Sequence, residues 1–118
     1  MTLKDVSKIT FGGASISGEG GGYGFGVMSE GSAEKVLKKA VECGITLFDT
    51  APIYGFGLSE ERFGRYLPKD AKIISKSGVD WHDTKRVNMT NDKATTEKML
   101  NQSLKRLKRD VIDVYIIH

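Results

Sequence analysis

Four short apolar runs, each separated from the next by a stretch of helical periodicity, constrain this chain more than any other feature. The runs cover residues 9–16, 45–49, 72–76 and 111–117. Strands joined through a helix run parallel, because the crossover returns the chain to the end of the sheet it left. A parallel sheet in turn needs both faces covered. The order βαβαβαβ therefore predicts an α/β fold with four parallel strands and three intervening helices.

Local signals set the provisional boundaries. The first run leads into 17–31, where Gly18, Gly20, Gly21, Gly22, Gly24 and Gly26 favour a flexible loop over a packed element. Ser32 is placed to cap the first helix, with Val36, Leu37, Ala40 and Val41 as its buried face and Gly44 as its stop. The second helix is expected to begin on Ser59 as its cap, with Leu58 and Phe63 as a hydrophobic staple. Glu60 and Glu61 then sit where the helix dipole favours carboxylates, and Pro68 ends the segment. The third helix spans about 92–109, with Leu100, Leu104 and Leu107 facing inward. Lys105, Arg106, Lys108 and Arg109 crowd its last turns, where cations complement the dipole. Segments 51–57 and 77–91 read as loops.

Several function classes drop out on composition. Hydrophobic residues at 39% and charged residues at 28% argue against a disordered chain. No apolar run approaches the ~20 residues of a membrane span, and residues 1–10 lack the apolar core of a secretory signal. A single cysteine, Cys43, excludes an internal disulfide and suits a cytoplasmic protein; it reads as a buried small hydrophobe. A net charge of +3 does not single out nucleic acid as a partner. The glycine cluster is not a dinucleotide fingerprint, since Tyr23, Phe25 and Val27 fill the positions where its last glycine is required. There is no Gly-Lys pair for a phosphate loop. Asp80, His82 and Asp83 bring metal-ligand types together, but three such residues in one loop recur by chance, and no metal is inferred.

Four polar residues resist a packing explanation. Asp49, Lys76 and His118 each end a predicted strand, and Tyr54 follows Asp49 on the loop. In a parallel sheet all strand C-termini lie on one side, which is where α/β folds place their sites. A carboxylate, a phenol, an ammonium and an imidazole would thus share one mouth.

The segments carrying these residues are distinctive. Residues 44–67, GITLFDTAPIYGFGLSEERFGRYL, and 103–118, SLKRLKRDVIDVYIIH, resemble the paired signatures of the aldo-keto reductase family. IISKSG at 73–78 is similar to the segment that bears that family's lysine. The resemblance implies the first half of a (β/α)8 TIM barrel and NADPH-dependent reduction of an aldehyde or ketone, with a small-molecule carbonyl as partner. It implies a tetrad of Asp49, Tyr54, Lys76 and His118. Tyr54 would give its proton to the carbonyl oxygen, Lys76 would ease its release, and His118 would orient the substrate. Asp49 would pair with Lys76 and contact the cofactor. Elementary electrostatics allows the lysine's role: a cation ~4 Å from a phenolate contributes about 4 kcal/mol at an effective dielectric of ~20. A buried ammonium in turn needs a counter-charge such as Asp49. Trp81 has two open roles, a wall of the substrate pocket or an anchor for its loop.

A whole barrel takes ~250 residues, so residues 1–118 are read as one partial barrel domain with its second half absent. Such a half leaves sheet edges that self-association could cover. The competing expectation is a catalytically inactive fragment or interaction module, against which the complete tetrad argues.

Overall fold

A computed structural model describes residues 3–18 and 23–118 of the chain. Of the glycine-rich loop expected over 17–31, residues 19–22, with Gly20, Gly21 and Gly22, lie outside the described residues. The regular elements, numbered in chain order, are β1 (Thr10–Gly12), α1 (Glu30–Glu42), β2 (Leu47–Asp49), α2 (Leu58–Tyr66), β3 (Lys72–Ser77), β4 (Val79–Trp81), β5 (Val87–Met89), α3 (Lys93–Leu107) and β6 (Val114–Ile117). Short 3₁₀ turns occupy Leu3–Asp5 and Gly13–Ile16.

The expected α/β architecture is present. β1, β2, β3 and β6 form one parallel sheet in that spatial order. Register follows from which residues share the helix-covered face. Phe11, Phe48 and Ile73 are aligned across three strands. They pack with Leu37 of α1, Phe63 of α2 and Leu107 of α3 into the main core. The Phe48 ring lies 5.8 Å from both Phe11 and Phe63, the latter edge to face, a geometry that the aromatic quadrupole favours. Side chains alternate across a strand, so Asp49 and Lys76 emerge on the opposite face.

The element boundaries depart from the sequence expectation for identifiable reasons. The first run is not one strand over 9–16. After Gly12 the chain turns into a 3₁₀ helix, whose first residue packs so closely that a side chain on Gly13 would meet the Ser59 hydroxyl and the Asp49 carbonyl. The cap of α1 is Ser29 rather than Ser32. The Ser29 hydroxyl accepts from the Ser32 N–H at 3.1 Å, so Ser32 already lies inside the helix. Leu37 and Ala40 are buried as expected, joined by Ala33, while Val36 is exposed. Gly44 ends α1 with φ +87°. Cys43 is exposed, not buried, because it sits at the end of α1 beyond the core-facing stripe.

Ser59 does not cap α2. Its hydroxyl is engaged in tertiary bonds, donating to Gly13 O at 2.9 Å and lying 2.8 Å from Thr50 Oγ1. α2 begins two residues earlier than a Ser59 cap implies, at Leu58 after Gly57 in the left-handed region at φ +94°. The buried stripe of α3 is Met99, Ser103 and Leu107, a rotation that leaves Leu100 and Leu104 half-buried. α3 ends at Leu107 because Lys108 adopts the left-handed conformation. The segment 77–91, expected to be a loop, contains the antiparallel hairpin β4–β5. Among the described residues no helix is long and apolar enough to cross a membrane.

The aromatic cluster that welds α2 to the sheet generates a stability prediction. Phe48→Ala is expected to cost about 3–5 kcal/mol, the range for deleting a fully buried aromatic ring. A urea titration reads it as a lower midpoint; a change below ~1 kcal/mol would show that the three rings do not form the packing centre.

Candidate active site

The three strand-end residues and Tyr54 singled out above converge at one mouth. Lys76 is 8% exposed and its ammonium is fully occupied by acceptors. Nζ donates to Asp49 Oδ1 at 2.9 Å, to Asp49 Oδ2 at 3.0 Å and to the Thr50 carbonyl at 2.8 Å. The reason is register. Asp49 lies opposite Ile74 on the neighbouring strand, so Lys76, two residues on, is its diagonal neighbour on the same face. The strand after Asp49 then bends, and the Thr50 N–H donates to Ile74 O at 2.9 Å, which turns its own carbonyl toward the ammonium.

Tyr54 is carried by the loop between β2 and α2. Its ring centroid lies 5.0 Å from Lys76 Nζ, with the cation over the ring. The loop is held by a ladder of its own: Tyr54 N–H donates to Ala51 O, Phe56 N–H to Ile53 O, and Ser59 N–H back to Tyr54 O. His118 follows β6 and is fixed by its backbone N–H on Ser77 O at 2.8 Å. Its imidazole meets the Tyr54 ring edge to face, with centroids 5.9 Å apart. The Tyr23 ring is on another side of that imidazole, at 6.4 Å. A cavity of about 220 Å³ opens beside His118, lined by Gly78, Met89, Thr90, Asn91 and Ile117.

The electrostatics of the mouth favour a neutral imidazole. Partial burial, then the Lys76 ammonium, push the His118 pKa below its ordinary value of about 6.5, against a smaller upward pull from Asp49. His118 keeps an exposed face, so solvent screens part of this effect.

Trp81, the fifth residue singled out, lies on β4. Its ring packs edge to face on Phe56, at 5.6 Å, and under the Arg106 guanidinium, at 5.8 Å. These contacts hold β4 against the loop between β2 and α2, in the cluster that also contains Tyr54.

Sequence reasoning missed the charged residues behind the mouth. Glu60 lies in the first turn of α2 as expected, but it is fully buried there. It accepts from the Ser75 hydroxyl at 2.7 Å and from Arg106 Nε at 2.6 Å. Arg62, 4% exposed, donates to Ile16 O, Met28 O and Glu30 Oε1, bracing both roots of the glycine-rich loop. Arg109 spends its donors on the carbonyls of Pro68, Lys69 and Ala71 rather than on its own helix end. No local signal marks these roles, because the Glu60–Arg106 partners are 46 residues apart in sequence.

Fold and mouth together define an α/β protein that gathers a carboxylate, a phenol, an ammonium and an imidazole at the C-terminal ends of its parallel strands. The model of the aldo/keto reductase family matches residues 8–118, and the chain belongs to that family. It is 37% identical over 103 residues to aldo-keto reductase YhdN of Bacillus subtilis (strain 168), covering 83% of this chain and 31% of that protein. It is 35% identical over 100 residues to the Schizosaccharomyces pombe aldo-keto reductase yakc, whose name carries NADP(+), covering 80% of this chain and 29% of that protein. The solved holo form of aldo-keto reductase AKR11C1 from Bacillus halodurans superposes with a TM-score of 0.81 at 28% identity, covering 96% of this chain and 36% of that one. The chain thus spans about a third of the length of the relatives it matches, and its sheet is the first half of a (β/α)8 barrel.

The ammonium's influence on the imidazole is testable. In Lys76→Met, the loss of a repelling cation and the unpairing of Asp49 both favour the imidazolium, so the His118 pKa is expected to rise. An NMR titration of the imidazole resonances reads this directly, and an unmoved or lower pKa would contradict the geometry. In the unaltered protein the sign is fixed by linkage. The folded state binds fewer protons at His118 than the unfolded chain, so its contribution to stability falls as pH drops from about 6.5 through the folded value.

Proposed function

We propose that this chain carries the proton-transfer half of a reductase that converts an aldehyde or ketone to an alcohol with NADPH. The observation that supports it best is the Lys76 ammonium, clamped on Asp49 and Thr50 with its charge over the Tyr54 ring.

Each residue has a role that its chemistry allows. Carbonyl reduction needs a proton for the oxygen as well as a hydride for the carbon. The Tyr54 hydroxyl gives the proton, and the O–H bond that breaks leaves its electron pair on a phenolate. Lys76 stabilises that phenolate through space, because its N–H groups are already committed to Asp49 and Thr50. A neutral His118 has an N–H with which to hold the carbonyl oxygen toward Tyr54, and the depressed pKa of the imidazole keeps that form dominant near neutrality.

The donor set fits a nicotinamide cofactor. None of the four side chains is a hydride source, and the cofactor supplies the hydride when bound. Asp49 is the residue we assign to its contact. A carboxylate has about four lone-pair sites, and Lys76 takes one on each oxygen, which leaves room for a hydroxyl or amide donor. The relative yakc carries NADP(+) in its name, in line with the phosphorylated form.

Tyr54→Phe removes the proton and little else. It is expected to lower kcat by about 10²–10⁴-fold, the usual worth of a general acid, while the Kd for NADPH stays within about twofold. NADPH oxidation with a panel of aldehydes, alongside a cofactor fluorescence titration, measures both. Turnover in Tyr54→Phe equal to that of the unaltered chain, or no turnover by the unaltered chain with NADPH or NADH, would sink the reading.

A further inference from the structure

Behind the mouth, on the helix-covered side of the sheet, Arg106 joins pieces that are far apart in sequence. Its Nε bonds the fully buried Glu60 of α2, which also accepts from Ser75 of β3. Its stem crosses Gly57. A Cβ at Gly57 would lie 2.9 Å from Arg106 Cδ, and the φ of +94° there favours glycine independently. Its guanidinium covers the Trp81 ring, and the far contact of Trp81 is Phe56. Gly57 and Phe56 are three and two residues from Tyr54, on the same short loop. Phe56 is itself left-handed at φ +53°, a conformation that a non-glycine residue keeps only when its surroundings enforce it.

We propose that Arg106 is a positioning residue for Tyr54: through Gly57, Trp81 and Phe56 it holds the β2–α2 loop so that the phenol stays over the Lys76 ammonium. The proposal rests on Tyr54 being the proton donor. Glu60 serves as the anchor. Its buried charge needs a cation, and that need fixes Arg106 in place. The guanidinium plane then gives Trp81 a flat surface, a contact that a lysine ammonium does not reproduce. The two charged networks meet on one strand. Ser75 faces Glu60, and the next residue, Lys76, faces Asp49 on the opposite side.

Trp81 is the only tryptophan in the chain, so its emission reports the middle of this linkage without labelling. Two variants separate positioning from folding. Arg106→Lys keeps a cation for Glu60, and the double variant Glu60→Gln with Arg106→Met removes the buried pair altogether. Both are expected to remain folded, to shift Trp81 emission to longer wavelength and to move the Tyr54 ring resonances. In Arg106→Lys, kcat for carbonyl reduction should fall about tenfold with KM within about twofold. That is a fraction of the ~10²-fold that a 1 Å misplacement costs. Unchanged Tyr54 resonances in both variants would overturn the proposal, whether or not Trp81 moves. So would an unchanged kcat beside a moved ring. If the unaltered chain shows no turnover, the functional reading fails by itself, and the Tyr54 resonances still decide whether Arg106 sets the loop.

Discussion

A lysine ammonium in the wall of a parallel sheet must be charged to be useful and paired to be tolerated. Lys76 meets both demands by taking two oxygens of Asp49 and one carbonyl of Thr50. Burying an unpaired cation is costly enough that the group would lose its proton instead. Much of the mouth can be derived from this requirement. β2 and β3 need the register that sets Asp49 diagonal to Lys76. The backbone after Asp49 needs to bend so that the Thr50 carbonyl turns inward. That bend starts the loop that returns Tyr54 over the cation.

The scaffold on the other face carries the opposite problem, a buried carboxylate. Glu60 has no exposed surface, and its two partners come from β3 and α3. Such a pair is weak evidence for stability, since two well-packed apolar residues often serve equally well. What it provides is a fixed distance between elements that no apolar contact would set so narrowly. α2 begins with residues committed to the sheet side: Ser59 to Gly13 and the Thr50 hydroxyl, Glu60 to Ser75. The loop before α2 therefore has little freedom at its end.

Much of this was legible in the chain alone, and the limits of that legibility follow from range. The alternation of apolar runs with helical stretches encodes the βαβ order, because each signal is complete within about ten residues. Asp49, Lys76 and His118 were recognisable because strand ends in a parallel sheet share a side whatever the details of packing. Ser59 misled for the same local reason. A serine followed by glutamates resembles a helix start, yet the Ser59 hydroxyl and the Glu60 carboxylate are claimed by partners from 9 to 46 residues away. Arg106 and Arg109 read as dipole complements until their acceptors are seen. The hairpin at 79–89 was missed because two three-residue strands are too short for alternation to stand out.

Adjacent residues of β3 tie the two charge problems together. Ser75 and Lys76 necessarily point to opposite faces, so one strand carries the helix-side network and the mouth-side network at consecutive positions. A displacement of β3 along its axis would lengthen both sets of bonds at once. The bonds of 2.7 Å from Ser75 and 2.9 Å from Lys76 therefore oppose the same motion from two sides of the sheet. Asp49, Lys76 and His118 lie at strand ends and Tyr54 on the loop after β2, while Arg62 donates to the Ile16 and Met28 carbonyls behind them. The two charged networks thus hold β3 in place from both faces of the sheet.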